Sequence, residues 1–189
     1  MEIIKNASTG DTLKIDSKNR ARTYSVIEDE ASYINRVEEE MYSGLWSGAV
    51  TAATGGNYII YFKNNSLKDV VINKIKHRVT GANGSISFWV NVTGTPGGTL
   101  TELTPSNRNA GSNNTADCTY YKSTNITGLT DGRQIGSLYG KADEEFEYAE
   151  PCSGFIIPPS ATFAIKADNA TAAHYGGMAF YFRDREESL

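Results

Sequence analysis

Apolar and polar side chains alternate along much of the chain, most clearly between residues 57 and 80. This stretch predicts two strands, at residues 58–63 and 69–79, joined by a polar turn at residues 64–68. In the second strand one set of alternate positions is Val71, Asn73, Ile75, His77 and Val79, and the other is Val70, Ile72, Lys74, Lys76 and Arg78. A period of two with apolar residues mainly on one side is typical of a strand with one face in a core.

The same pattern recurs along the rest of the chain, punctuated by Gly, Asn, Pro and Ser. The further predicted strands are 48–53, 85–92, 99–103, 116–122, 135–139, 144–149, 154–157, 162–167 and 173–182. Short strands at this spacing predict an all-β fold, specifically an antiparallel jelly-roll-like β-sandwich. We assign residues 44–189 to this sandwich, and expect the glycine-rich segment 94–98 to be a tight turn. The 12-residue polar loop at 104–115 is long enough to be functional or mobile.

The segment before the sandwich is interpreted as an N-terminal arm, residues 1–43. Alternating residues at 12–15 and 20–27 flank a turn at 16–19, which predicts short strands. Residues 29–42 form the one helical candidate, because Ile34, Val37, Met41 and Tyr42 recur at helical spacing. The arm lacks enough apolar residues for a core of its own, so residues 1–28 are expected to become ordered against a neighbouring subunit or a capsid.

Composition excludes several classes of partner. The 189 residues carry 18 basic and 22 acidic side chains, a formal net charge of −4, and no basic patch stands out. Nucleic acid is therefore not an expected partner, and no segment approaches the roughly 20 apolar residues of a membrane helix. The N-terminus lacks the layout of a signal peptide, so we expect synthesis in a cytoplasm, where Cys118 and Cys152 would be free thiols.

Candidate catalytic chemistry is sparse. His77 and His174 lie outside any metal-ligand spacing and are expected to be ordinary surface or half-buried side chains. Glu145 and Glu147 could supply a carboxylate pair for glycoside hydrolysis, but on a strand they are better interpreted as solvated residues opposite an inward Phe146 and Tyr148. The rings of Trp46 and Trp89 could stack on sugars, yet aromatic residues are also normal in strands. We predict no catalytic, metal-binding or cofactor-binding residues and no cofactor.

Several motifs occur in an order that resembles one family. A turn at Asp16-Ser-Lys-Asn-Arg20 precedes the acidic segment 28–40, and Gly48-Ala-Val-Thr51 leads to an apolar strand ending in Lys63-Asn-Asn65. Asp69-Val-Val-Ile72, the loop Pro105-Ser-Asn-Arg-Asn-Ala-Gly-Ser112 and Ile156-Ile-Pro-Pro159 follow. In this order the chain resembles bacteriophage virion structural proteins, either capsid decoration (cement) proteins or head or tail fibre proteins. The resemblance implies a jelly-roll-like sandwich without enzymatic activity.

Three functions remain open at this point. The first is a virion structural protein, made in the host cytoplasm, that decorates or cements a phage capsid by contacts with the major capsid protein or other virion proteins. The alternative is a carbohydrate- or receptor-binding β-module of a phage fibre, and the third is a hydrolase with a carboxylate pair. The many aromatic residues predict self-association, and the resemblance implies a homotrimer.

Overall fold

The computed structural model describes residues 14–15, 21–22, 30–149 and 154–184. The chain divides into two compact units, Met1–Glu30 and Ala31–Leu189. In the first unit, Lys14–Ile15 (β1) pairs antiparallel with Ala21–Arg22 (β2). The turn predicted at 16–19 lies outside the described residues. The remaining residues of the predicted arm up to 29 lie outside the described part of the chain.

The second unit begins with a short helix and continues almost entirely as strands. Helix α1 spans Glu30–Tyr33 and continues as a π-helical segment, Ile34–Glu38. The strands are β3 Met41–Val50, β4 Asn57–Asn64, β5 Asp69–Thr80, β6 Gly84–Val90, β7 Thr93–Gly97, β8 Thr101–Glu102, β9 Ser106–Asn107, β10 Cys118–Thr130, β11 Arg133–Gly140, β12 Glu145–Ala149, β13 Phe155–Ile157, β14 Thr162–Ala167 and β15 Ala173–Arg183.

These strands form two antiparallel sheets. The larger sheet has the order β11-β6-β14-β4-β10-β7, with β8 also paired to β10. The smaller sheet has the order β12-β5-β15-β3-β9, with β13 also paired to β5. Neighbouring strands in a sheet are mostly distant in sequence, because the chain passes repeatedly from one sheet to the other. The crossings are at β3–β4, β4–β5, β5–β6, β8–β9, β9–β10, β11–β12, β13–β14 and β14–β15.

The apolar core lies between the two sheets. The smaller sheet contributes the buried side chains Tyr42, Trp46, Val70, Ile72, Ile75, Met178, Phe180 and Phe182, and the larger sheet contributes Ile60, Phe62, Ile86, Phe88, Tyr120, Phe163 and Ile165. This arrangement confirms the predicted all-β class and antiparallel sandwich. The jelly-roll arrangement itself stays a prediction.

Some boundaries differ from the predicted ones. The helical conformation ends at Glu39, whose φ of 57° and ψ of 32° place it in the left-handed region. Met41 and Tyr42 are therefore not helical but begin β3, on opposite faces of the smaller sheet. The predicted turn at 94–98 is largely strand β7, and β10 extends to Thr130 because its far end pairs with β7.

The alternation in β5 is also interrupted. The pairing with β15 shifts register between Ala179 and Phe180, so Asn73 is an extra residue in the β5 ladder. Such a bulge changes which side chains share a face. Val70 and Ile72 consequently point into the core together with Ile75, whereas the sequence had placed them with Lys74 on the opposite side.

The thiol of Cys118 is free, as predicted. Burial raises the pKa of this thiol to about 12, with the carboxylate of Asp117 adding to the effect. Cys152 lies outside the described residues. No helix in the described part of the chain has the length and apolar character needed to span a membrane.

Candidate binding surface

The outer face of the smaller sheet has two parts, which we call the covered half and the open groove. In the covered half, Ile34 of the π-helical segment packs on outward-facing side chains of β3, β5 and β15. All members of this cluster are buried, and they are Ile34, Met41, Val71, Ala179 and Tyr181. The covered half is thus a small second core on the outside of the sandwich.

The polar loop 104–115 holds the helical segment on the sheet. The side-chain amide of Asn107 donates a hydrogen bond of 2.7 Å to the carbonyl of Glu39, and that of Asn109 donates one of 3.2 Å to the carbonyl of Asn35. The last carbonyls of a helix have no partner within the helix, so external donors stabilise its end. We call this loop the asparagine clasp.

The open groove continues along the same strands where the helical segment ends. It has a volume of about 540 Å³ and is lined by Ser43, Leu45, Lys74, Lys76, His77, Arg78, Arg108, Glu145, Tyr175, Gly176, Gly177, Met178 and Ala179. Leu45 is 64% exposed and Tyr175 is 36% exposed. Large apolar side chains left this accessible on a sheet face are typical of interaction surfaces when they cluster.

Two glycines form the bottom of the open groove. A Cβ atom at Gly176 would collide from the inner side with the indole ring of Trp46 and with the carbonyl of Lys76. A Cβ atom at Gly177 would lie 2.6 Å from Cδ2 of Leu45 and 2.8 Å from the carbonyl of Gly44. Both positions therefore require glycine for close packing, and the missing side chain of Gly177, on the outer face, leaves the groove open.

Basic side chains surround this glycine floor. Lys74, Lys76 and Arg78 occupy alternate positions of β5, and Arg108 projects from the asparagine clasp. The Lys76 ammonium lies 3.4 Å from the carboxylate of Glu145, and both side chains are more than half exposed. In the part of the chain that the structure describes, neither Arg78 nor Arg108 forms an ion pair. The guanidinium of Arg108 contacts Sδ of Met41 at 3.8 Å.

A buried histidine pair lies at the inner face of this same region. Nε2 of His77 and Nδ1 of His174 are 2.9 Å apart, the rings stack with 5.2 Å between centroids, and both side chains are fully buried. The prediction of surface or half-buried histidines was therefore wrong. It failed because residues 97 positions apart become neighbours only through the pairing of β5 with β15.

Each histidine keeps one ring nitrogen without a hydrogen-bond partner among the described residues, Nδ1 of His77 and Nε2 of His174. Burial lowers the pKa of His77 to about 3, with the neighbouring His174 as a second cause. Burial also lowers the pKa of His174. Both rings are therefore neutral at pH 7, one donating to the other. Within the described residues no group of three or more His, Cys, Asp or Glu side chains is arranged to hold a metal ion.

The two tryptophans considered for sugar stacking have different surroundings. Trp46 is buried beneath Gly176 and cannot contact a ligand.

Trp89 is half-buried on the outer face of the larger sheet. The ammonium of Lys166 lies 4.4 Å from the ring centroid of Trp89 and 4.6 Å from that of Tyr58. Lys166 also forms an ion pair of 2.7 Å with Asp131, which accepts a hydrogen bond of 2.8 Å from the hydroxyl of Tyr58. These rings are thus already occupied by a cation of the chain itself.

The candidate carboxylate pair is only partly described. Glu145 is exposed, as expected for a solvated strand residue. The backbone of Glu147 lies opposite Lys76 in the ladder between β12 and β5, but its side chain, and those of Phe146 and Tyr148, lie outside the described set.

No protein-family model, curated protein or solved structure matches the chain.

Proposed function

We propose that the chain is a non-enzymatic structural protein of a phage virion that decorates or cements a capsid through protein–protein contacts. The open groove is the contact surface in this proposal. One observation carries it: the chain covers one half of the outer face of the smaller sheet with its own helical segment and leaves Leu45 and Tyr175 accessible on the other half.

Two residue types in the open groove, Tyr and Arg, are favoured at protein interfaces. Tyr and Arg are enriched in interface centres and among the residues that contribute most to affinity. Here Tyr175, Arg78 and Arg108 surround a surface formed by Leu45 and the glycine floor. Such a surface can bury apolar area while the guanidinium groups provide orientation.

The order of motifs described above, with its resemblance to virion structural proteins, supports the choice of a capsid over other protein partners. The proposed partners are the major capsid protein or other virion proteins, and the proposed location is the virion after synthesis in the host cytoplasm. Self-association as a homotrimer belongs to the same proposal, with no nucleic acid and no membrane as partners.

The test is co-sedimentation with capsids of the phage that encodes the chain. Replacing Leu45 by Ser and Tyr175 by Ala should lower capsid binding at least tenfold, since both side chains lie in the proposed contact. The matched control replaces Leu67 by Ser and Tyr139 by Ala, which are 89% and 58% exposed elsewhere on the sandwich. Failure of the unaltered protein to sediment with capsids would contradict the proposal. An equal loss of capsid binding in both variants would show that the open groove is not the contact surface.

The N-terminal arm offers a second test of the same proposal. Deleting residues 1–28 should weaken assembly or capsid binding and leave the circular-dichroism spectrum of the sandwich unchanged. Light scattering that finds a monomer at micromolar concentration, together with normal capsid binding after the deletion, would contradict both self-association and the role of the arm.

A carbohydrate- or receptor-binding module of a fibre is the second candidate. The partly exposed ring of Tyr175 lies among polar side chains in the open groove, which is an arrangement able to stack on a sugar. Binding of defined glycans on an array, lost on replacing Tyr175 by Ala but retained on replacing Tyr139 by Ala, would favour this candidate.

A further inference from the structure

We propose that β11 forms a contact between two copies of the chain, in which it pairs antiparallel with β11 of the second copy across a two-fold axis. The larger sheets of the two copies then join into one continuous sheet. This inference depends neither on the open groove nor on capsid binding. It follows from a comparison of the edges of the two sheets.

Most of these edges are protected against pairing with another chain. An edge strand presents unpaired backbone N–H and C=O groups, and proteins limit this exposure with short strands, proline or charged side chains. β9 has two residues, β7 contains Pro96, and β12 has two glutamates, Glu145 and Glu147, in a strand of five residues. β8 and β13, which pair beside β7 and β12, are also short.

β11 lacks this protection along most of its length. It has eight residues, and its one charged side chain, Arg133, is at the first position. The register with β6 shifts between Gln134 and Gly136, and from Gly136 to Gly140 the ladder is regular. In the part of the chain that the structure describes, β11 pairs with β6 on one side and forms no backbone hydrogen bond on the other.

A second β11 is a complement to this free edge. In an antiparallel pair, alternate residues of an edge strand point both backbone groups away from the strand they already pair with. Another β11 running in the opposite direction has the same groups at the same spacing, so the two strands can exchange hydrogen bonds. Two-fold interfaces are self-complementary in this way, because each copy contributes the same surface.

The side chains of β11 are compatible with such a joined sheet. Leu138 packs on the main core, and a Cβ atom at Gly140 would meet the side chain of Val79, so both positions face inward. Ser137 and Tyr139 alternate with them and are exposed, Tyr139 to 58%. Because directly opposed residues of paired strands share a face, Tyr139 would gain contacts with outer side chains of the second copy.

Charge favours the antiparallel direction. In a parallel pair the two Arg133 side chains would be neighbours, and like charges at that position destabilise a pair of strands. In the antiparallel pair they lie at opposite ends, about 20 Å or more apart at the usual rise of a strand. The next cation, Lys141, follows the strand and has its ammonium 3.9 Å from the carboxylate of Glu144.

Sedimentation equilibrium at about 5 to about 100 µM protein tests the inference, since association depends on concentration. We expect even copy numbers, either a dimer or, if the proposed homotrimer also forms, a hexamer. Ser137→Lys or Ser137→Glu places like charges on both edge strands and should raise the dissociation constant by about tenfold or more. The matched control is Thr95→Lys, exposed on β7 at the opposite edge of the same sheet, which should leave it unchanged.

A mixture of the two Ser137 variants makes the test specific for self-pairing. Equal amounts of Ser137→Lys and Ser137→Glu should associate again, because the charges on the two strands are then opposite. A contact between β11 and a different surface of the second copy would show no such recovery. Recovery also demonstrates that both variants are folded, and circular dichroism checks this independently.

A monomer or a trimer alone over the whole concentration range overturns the inference. So does association that Ser137→Lys leaves unchanged, or that folded Ser137 variants fail to recover when mixed. Even-numbered oligomers without capsid binding uphold this inference and overturn the proposed function. Tyr139→Ala keeps the strand uncharged and its backbone groups in place, so we expect this control of the capsid experiment to retain the pairing.

Discussion

The covered half and the open groove lie on the same face of the same three strands, yet one is interior and the other is surface. β3, β5 and β15 pass under both. The outward positions of β15 change from Tyr181 and Ala179 beneath the helical segment to Gly177 and Tyr175 beyond it. The difference shows that a sheet face need not be assigned as a whole to core or solvent, since one short helical segment can divide it.

The inner face of the smaller sheet changes at about the same place. Behind the covered half it carries Phe180 and Phe182 in the main core. Behind the open groove it carries His77 and His174, each with an unpartnered ring nitrogen among the described atoms. The region under the groove should therefore be the more sensitive of the two to conditions that charge a histidine.

Acid should reveal this difference most strongly. His77 has a pKa near 3 in the folded protein and about 6.5 when unfolded. Between pH 6.5 and about pH 3, the His77 ring is protonated in the unfolded chain and neutral in the folded one. The free energy of unfolding therefore falls as the pH is lowered through this range, by about 1.4 kcal/mol per pH unit. We expect a loss of about 2 kcal/mol from His77 by pH 5, with His174 adding in the same direction, measured by urea unfolding.

The control is the double variant in which His77 and His174 are both replaced by Leu. Its free energy of unfolding should be nearly constant between about pH 7 and pH 5, where most carboxylates do not titrate. The histidine pair would not be the cause if the free energy of unfolding of the unaltered protein did not change with pH over this range. The same would follow if the double variant kept the full pH dependence.

Truncation in the covered half should have the next largest effect. Ile34→Ala removes a buried side chain from a small apolar cluster and should cost about 2 kcal/mol of unfolding free energy. Leu45→Ala in the open groove should change it by less than about 0.5 kcal/mol, because that side chain is already 64% exposed. Chemical denaturation of the two variants compares the halves directly, and equal costs would remove the distinction between them.

Loosening the asparagine clasp should cost somewhat less. Asn107→Ala leaves the carbonyl of Glu39 without its 2.7 Å donor and should lower the unfolding free energy by about 1 kcal/mol. The matched control is Asn113→Ala, in the same loop but exposed. Faster cleavage by protease in the helical segment of the Asn107 variant alone would confirm the role of the clasp, and identical cleavage patterns would refute it.

The smallest effect is expected at the edge of the open groove. Glu145→Gln removes an exposed ion pair with Lys76 and should change the free energy of unfolding by less than about 0.5 kcal/mol. Capsid binding should persist. A loss of binding or activity with an unchanged fold would show that the carboxylate is used by the protein after all.

The sequence predicted the sandwich because alternation is a local property of strands. It predicted the strands at 58–63 and 162–167, which contribute Ile60, Phe62, Phe163 and Ile165 to the core, without knowledge of their partners. It failed at Asn73, where the bulge depends on the register of β15 rather than on β5 alone. It also made the helix too long, since the left-handed turn at Glu39 has no marker such as glycine.

The open groove was less accessible to prediction. Lys74, Lys76 and Arg78 were visible as alternate residues of one strand, but Arg108 joins them only because β9 pairs with β3. Gly176 and Gly177 were interpreted as ordinary strand residues, although the first accommodates Trp46 and the second Leu45. Sites built from several strands depend on pairings that a single sequence does not encode locally.

The asparagine clasp also determines how the folded protein would age chemically. Hydrolysis of the side-chain amide of Asn107 converts a hydrogen-bond donor into a carboxylate, which can only accept. That carboxylate would face the carbonyl of Glu39 at the negative end of the helical segment and repel it. Deamidation at Asn107 would therefore loosen one end of the helical segment, while the bond from Asn109 to the carbonyl of Asn35 still holds it, so old preparations should expose the apolar residues of the covered half more often than fresh protein does.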